Sequence, residues 1–85
     1  MYIKSLDKRY NLVEFNFYGA GANTVHVLDF LLDCSIEEFE KNGLDSVVVI
    51  EDGDQFHIFV GYEVNEYYEE DGYLKVICVK WEEDE

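Results

Sequence analysis

Positive charge is scarce in this sequence, where six Lys and Arg stand against twenty Asp and Glu for a formal net charge of −14. Residues 37–85 carry sixteen of the acidic residues and a net charge of −13, whereas residues 1–36 carry a net charge of −1. Such a field repels nucleic acids and anionic membranes and attracts cationic surfaces. It excludes direct DNA or RNA binding and points to a basic protein as the partner.

Long apolar runs and a secretory leader are also missing, and the sequence has two cysteines. Charges interrupt each apolar stretch within a few residues, so no segment predicts a membrane span. Residues 1–10 lack a long apolar leader region, which predicts a cytoplasmic protein. Cys34 and Cys78 each lie in an apolar stretch, and in a chain without an export signal we predict two free, buried thiols.

The composition nevertheless predicts a folded domain. Hydrophobic residues make up 48% of the 85 residues, and fourteen of them are aromatic. Each aromatic side chain can bury a large apolar area, so a core is expected despite the short length. We predict a single globular domain over residues 1–81, followed by an acidic C-terminal tail over residues 82–85.

The first half of the chain predicts two strands and a third element of ambiguous type. Patterning favours strands over Tyr2–Leu6 and Asn11–Tyr18, joined by a turn at Asp7-Lys8-Arg9. In residues 23–33, Asn23 is a potential capping residue and the apolar residues after it have helical spacing, which favours a helix through Asp33. The β-branched residues in this stretch also allow a strand. A second, short helix over Ile36–Asn42 is predicted by the capping pattern that begins at Ser35.

Three strands are predicted after this helix. Asp52-Gly53 between two apolar runs is typical of a hairpin turn that joins Ser46–Glu51 to Asp54–Val64. Alternation on the second strand predicts a buried face made of Phe56, Ile58, Val60, Tyr62 and Val64. His57 would then face outward. The last strand, Tyr73–Trp81, is apolar on both faces, which indicates a central position or a face held for a partner.

These elements predict an α+β fold, a small two-layer sandwich with a helix on one face of an antiparallel sheet of about five strands, in the order β-β-α-(α)-β-β-β. Two registers are open for the last two strands. A loop over Asn65–Gly72 would bring the acidic hairpin turn and the tail to the same end, and we favour it. A tight turn at Asp71-Gly72 would instead place Tyr62 near Trp81 and make Gly61 a bend.

Residues that often carry chemistry are present without the spacing that chemistry requires. The potential zinc ligands His26, Cys34, His57 and Cys78 match no zinc-site spacing. No serine lies in a nucleophile motif, and Gly19-x-Gly21 lacks the remainder of a phosphate-binding loop. We therefore predict no catalytic residue, no metal, no cofactor and no enzymatic activity.

The acidic surface is the predicted binding site. Carboxylates two residues apart on a strand lie on one face roughly 6.6 Å apart, so a row of them can imitate phosphates. Aromatic residues among such acids are suited to a contact hot spot. The predicted partner-binding residues are Glu51, Asp52, Asp54, Glu66, Tyr67, Tyr68, Glu69, Glu70, Asp71, Glu82, Glu83 and Asp84.

In size and acidity the chain resembles the small DNA-mimic inhibitors that phages and mobile elements encode, a resemblance of composition that covers no specific motif. It implies a decoy that blocks the basic groove of a nuclease, a restriction enzyme or a CRISPR effector. Two alternatives remain open. One is an immunity protein or antitoxin against a cognate basic toxin, and the other is a homodimeric interaction module whose acidity serves solubility alone.

Overall fold

The computed structural model describes residues 1–5, 8–20, 25–45 and 47–81. These residues form seven strands and one helix: β1 (Tyr2–Ser5), β2 (Lys8–Ala20), β3 (Val25–Leu32), α1 (Ile36–Asn42), β4 (Val47–Asp52), β5 (Gln55–Val60), β6 (Glu63–Glu70) and β7 (Tyr73–Trp81). The predicted two-layer α+β sandwich of about five strands is therefore wrong. The described chain is mostly antiparallel β-sheet, with a single seven-residue helix.

The seven strands form one sheet in the order β5-β4-β1-β2-β3-β7-β6. The thirteen-residue β2 is shared between two halves, since its first residues pair with β1 and the others with β3. A bulge between Leu12 and Glu14 lies near this change of partner, and bulges bend a strand and increase its twist. The sheet curls so far that the ring of Phe17 on β2 lies 5.4 Å from the ring of Phe59 on edge strand β5.

Helix α1 closes the core of this curled sheet. Phe39 is buried, and its ring lies 6.0 Å from Tyr10 on β2 and 5.3 Å from Tyr67 on β6. Ser35 caps the helix by accepting a hydrogen bond from the Glu38 N–H at 3.1 Å, and Gly43 ends it with a φ of 67°. The predicted helix over Ile36–Asn42 is confirmed, because both of its ends carry strong local signals.

The predicted helix over residues 23–33 is wrong, and its strand alternative is confirmed from Val25 onward; Asn23 lies outside the described residues. Val25–Leu32 pairs with β2 on one side and β7 on the other. Leu28, Phe30 and Leu32 alternate into the core. The two flanking strands, of which β7 is distant in sequence, override the helical spacing of the leucines. The predicted turn at Asp7-Lys8-Arg9 is also corrected, since β2 already begins at Lys8.

The predicted strand Asp54–Val64 is two strands, and its predicted buried face is reversed. Gly61 has a φ of 83° and separates β5 from β6. Phe56, Ile58 and Val60 are 63%, 67% and 53% exposed, whereas Phe59 is buried and His57 half-buried. Partner strand β4 decides the face, because its buried residues Val48 and Ile50 lie opposite Phe59 and His57. Tyr62 is half-buried and lies between the two strands, and Val64 is exposed and lies on β6. Neither residue therefore extends a buried face of β5.

The β4–β5 and β6–β7 hairpin turns each contain two residues. Asp52 pairs with Gln55, so the first turn is Gly53-Asp54, one residue later than predicted. Glu70 pairs with Tyr73 across Asp71-Gly72, whose φ values of 52° and 85° are typical of a type I′ turn. The favoured loop over 65–72 is therefore wrong and the tight-turn register is confirmed. Strand β7 lies between β3 and β6, as its two apolar faces predicted.

Within the described ranges no helix has the length and apolar character needed to cross a bilayer.

Candidate binding surface

The strongest concentration of aligned acidic residues lies on edge strand β6. Glu66, Tyr68 and Glu70 lie opposite Ile77, Lys75 and Tyr73 of β7, which alternate with the buried residues of that strand. Paired residues share a face of the sheet, so all three point away from the core. Their alternate positions give a spacing of roughly 6.6 Å.

A bulge adds Glu63 to this face. Residues 63 and 66 would lie on opposite faces of a regular strand, but the register shifts between Val64 and Glu66. Glu63 consequently lies opposite Val79, on the same outer side as Glu66. Glu63, Glu66, Tyr68 and Glu70, all exposed, are called the acidic row below. Sequence reasoning missed Glu63 because Gly61, the local signal for a strand break, was assigned to the interior of a strand.

The two neighbouring tyrosines have different environments. Tyr68 is 43% exposed and lies within the acidic row. Tyr67 points to the inner face, where it packs on Phe39 and its hydroxyl donates a hydrogen bond to Glu40 Oε2 at 2.7 Å. That hydrogen bond, with some desolvation and the charge of Glu40, raises the pKa of Tyr67. Tyr68 is therefore available to a partner, whereas Tyr67 fastens β6 to α1.

Lys75 lies beside the acidic row and is held by a carboxylate of the adjoining strand. Its Nζ donates a hydrogen bond to Asp29 Oδ1 at 3.2 Å, and both side chains are mostly shielded from solvent. Partial burial opposes the charge on Lys75. The hydrogen bond and charge of Asp29, together with the charges of Glu70 and Glu14, outweigh that effect and raise the pKa of Lys75. The outer face of these strands is thus strongly negative around one lysine.

The other predicted acidic cluster lies at the opposite edge of the sheet. Glu51 ends β4 and forms an ion pair with Lys4 of β1 at 3.4 Å, while Asp52 and Asp54 are exposed at the β4–β5 turn. Because β5 and β6 are opposite edges of the strand order, this turn and the acidic row belong to separate hairpins. Glu51 is the least suited to imitate a phosphate, since a cation already compensates its charge.

The remaining predicted site residues divide between the faces of the last hairpin and the chain end. Glu69 lies opposite the buried Leu74 and therefore on the inner side of β6, although it is exposed. Asp71 lies in the turn, next to the acidic row. Glu82, Glu83 and Asp84 lie outside the described residues. The expected meeting of the tail with the 52–54 turn depended on the register that proved wrong.

The two thiols are poorly suited to nucleophilic chemistry. Burial raises the pKa of Cys78 to about 12, and burial together with the charges of Glu38 and Asp33 raises the pKa of Cys34 to about 11. Both cysteines are free; Cys78 is buried and Cys34 is half-buried. Thiolates, not thiols, attack electrophiles and bind metals. Neither residue therefore has the lowered pKa of a reactive cysteine.

The histidines and acids form no metal centre in the part of the chain that the structure describes. His57 is half-buried against the ring of Phe15 at 5.4 Å, so its predicted outward orientation is wrong. His26 lies on β3 opposite Gly19. An open groove of about 380 Å³ is lined by polar groups around Arg9, Asp33 and Glu38. The guanidinium of Arg9 lies over the ring of Tyr2, 3.8 Å from its centre.

Neither a family model, nor a curated protein, nor a solved structure matches this chain. The functional argument therefore depends on the chemistry of its own surface.

Proposed function

We propose that the protein is a nucleic-acid decoy, which inhibits a basic nucleic-acid-binding protein by presenting the acidic row in place of phosphates. The observation that carries the proposal is the row itself: three carboxylates and one tyrosine on the outer face of an exposed edge strand. The partner class is a nuclease, a restriction enzyme or a CRISPR effector, whose groove is lined by Lys and Arg.

The geometry of the row supports this proposal in two ways. First, the strand backbone fixes the order and spacing of the residues in the row, so their arrangement along the edge exists before binding. Second, β6 is an edge strand whose outer side has no neighbouring strand among the described residues, which leaves it accessible to a groove. Tyr68 would supply the aromatic contact at the centre of the row, with charge on both sides.

The net charge supports fast association with a basic partner. Electrostatic complementarity mainly raises the association rate, and salt weakens it. A decoy of this kind should therefore bind a positively charged groove quickly at low ionic strength and lose affinity as salt increases. DNA should compete with it, because both would occupy the same cationic groups.

The test is a pull-down with tagged protein from a nuclease-treated bacterial lysate supplemented with basic nucleases, washed in steps of increasing salt. We expect a stoichiometric nucleic-acid-binding protein that duplex DNA displaces. A row variant with Glu63→Gln, Glu66→Gln and Glu70→Gln should lose this capture. The matched control, with Glu51→Gln, Asp52→Asn and Asp54→Asn, removes the same charge from the other hairpin and should retain it.

Charges on an edge strand also prevent sheets from associating, and the two variants separate that role from binding. Equal loss of capture in both variants would show a dependence on net charge alone and would contradict a specific acidic row. A captured protein that DNA does not displace would contradict the decoy mechanism.

A further inference from the structure

The two edge strands of the sheet differ sharply in charge. Strand β6 carries Glu63, Glu66, Glu69 and Glu70, whereas β5 (Gln55–Val60) contains no Asp, Glu, Lys or Arg in a chain with twenty-six of them. Exposed edge strands offer unpaired N–H and C=O groups to other chains, and proteins normally protect them with charge. Strand β6 has this protection and β5 does not.

The outer face of β5 is also apolar. Phe56, Ile58 and Val60 are all more than half exposed, and Val47 of β4, opposite Val60, is 43% exposed. At these fractions the four side chains present roughly 300–400 Å² of surface, which is within the range of patches that are often functional. An uncharged free edge and an apolar face thus coincide on the same six residues.

We propose that β5 pairs antiparallel with β5 of a second copy of this chain, with Ile58 on the two-fold axis. In this register Ile58 lies opposite Ile58 of the second copy, Phe56 opposite Val60, and His57 opposite Phe59. Paired residues share a face, so the exposed apolar side chains of both copies join on one side. The half-buried and buried residues join on the other. The pairing is self-complementary, as a two-fold interface requires.

Charged residues near the ends of β5 favour a second copy of this chain as the partner over an unrelated apolar strand. Asp54 directly precedes β5, and the antiparallel register brings it alongside Gly61 and Tyr62 of the second copy. Lys80 lies at that position: its Nζ is 5.8 Å from the centre of the Tyr62 ring, and its side chain borders Gly61. The two-fold symmetry brings Asp54 of each copy near Lys80 of the other, so this contact occurs once at each end of the paired strands.

The buried area of the interface sets the expected affinity of the dimer. Roughly 300–400 Å² of side-chain surface per copy is below the ~800 Å² per partner of a standard stable interface, although main-chain hydrogen bonds between the strands add to it. We therefore expect a dissociation constant on the order of micromolar. The net charge opposes association, so the dimer should be measured at about 0.3 M salt, where the screening length is short.

Cross-linking through one introduced cysteine tests the register directly, with the buried Cys78 left in place. In a Cys34→Ser background, Ile58→Cys should form a dimer rapidly with a short bismaleimide, because the two positions meet on the axis. Phe56→Cys and Val60→Cys alone should react at least tenfold more slowly, since each lies roughly 13 Å from its own copy along the paired strands. In an equimolar mixture of these two variants, the dimers that contain one copy of each should cross-link as fast as those of Ile58→Cys. Equal rates at all three positions, or none above background, would overturn the proposal.

Sedimentation equilibrium tests the dimer without cross-linking. We expect concentration-dependent dimerisation that Ile58→Lys abolishes, with circular dichroism confirming that the variant is folded. Tyr68→Lys, an equivalent change on the other edge strand, should leave dimerisation intact. A monomer up to millimolar concentration, or open-ended oligomers, would overturn the proposal. Neither result depends on the decoy function, because the acidic row is unchanged in Ile58→Lys.

Discussion

Gly61 is the residue whose substitution discriminates most sharply between the fold observed and the fold expected from the sequence. Within one continuous strand over residues 54–64, alanine would be preferred to glycine by roughly 0.5–1 kcal/mol, because glycine loses more backbone entropy on folding. The structure instead places Gly61 at a φ of 83°, in the left-handed region where a Cβ is unfavourable by roughly 1–2 kcal/mol. The two descriptions therefore predict opposite signs.

The local packing adds little to that magnitude. A Cβ on Gly61 would lie 3.4 Å from Cε of Lys80, the flexible end of a side chain that can move. We expect Gly61→Ala to lower the free energy of unfolding by about 1–2 kcal/mol and the melting temperature by about 4–16 °C for a domain of this size.

Urea and thermal unfolding followed by circular dichroism measure this change. Gly19→Ala is the matched control, since Gly19 lies in β2 without a left-handed φ and its Cβ would come no closer than 3.7 Å to His26. We expect that variant to be neutral or slightly stabilised. A Gly61→Ala protein as stable as the wild type would refute the break between β5 and β6.

Three further predictions concern stability, pH and thiol reactivity. Ser5 is almost fully buried, and its Oγ accepts a hydrogen bond from the Asp45 N–H at 2.7 Å. Ser5→Ala should therefore lower the free energy of unfolding, measured in urea, by about 1–3 kcal/mol, and a loss below about 0.5 kcal/mol would contradict the importance of this hydrogen bond. The raised pKa of Lys75 contributes stability that is complete below the unfolded-state value of 10.5 and declines as pH rises through the folded-state pKa. Lys75→Gln should therefore flatten the decline of stability above that pH, and an unchanged profile would count against the Asp29 contact. With a disulfide reagent at pH 8, Cys34 should react slowly, Cys78 more slowly still, and both quickly in urea; rapid labelling of folded Cys78 would contradict its burial.

The sequence predicted those elements whose signals are local. Helix α1 has a capping serine and a terminal glycine, and Asp52-Gly53 predicted the β4–β5 turn within one residue. Asp71-Gly72 marks the β6–β7 turn as well, but it was the less favoured of the two predictions for that segment. The apolar residues on both faces of β7 left two interpretations open, a central position or a face held for a partner, and the structure shows β7 between two strands. For the helix and the turns, neighbouring residues alone determine the backbone.

The errors occur where a partner strand or helix, and not the pattern of the element's own residues, decides the structure. Most residues on both faces of strand β6 are exposed. The strand therefore has no alternation of apolar and polar residues, and its sequence predicted a loop. Strand β5 has apolar residues on both faces, and the buried face is chosen by Val48 and Ile50 of β4. Val25–Leu32 is a strand because β2 and β7 flank it.

The candidate site shows the same division. Alternation alone places Glu66, Tyr68 and Glu70 on one face, and all three were among the predicted binding residues. Glu63 joins them only through the bulge after Val64, which depends on pairing with β7. The inward orientation of Tyr67 likewise depends on the distant helix residues Phe39 and Glu40.

Competition between DNA and the protein for the captured partner tests the central claim most directly. The partner is immobilised, the protein is bound at fixed salt, and duplex DNA is titrated while the released protein is measured. If the acidic row replaces phosphates, DNA will displace the wild type and the 51–54 control variant completely, and the row variant will bind too weakly to compete. If the partner binds DNA and the protein simultaneously, or holds the row variant as tightly as the wild type, the decoy account is contradicted.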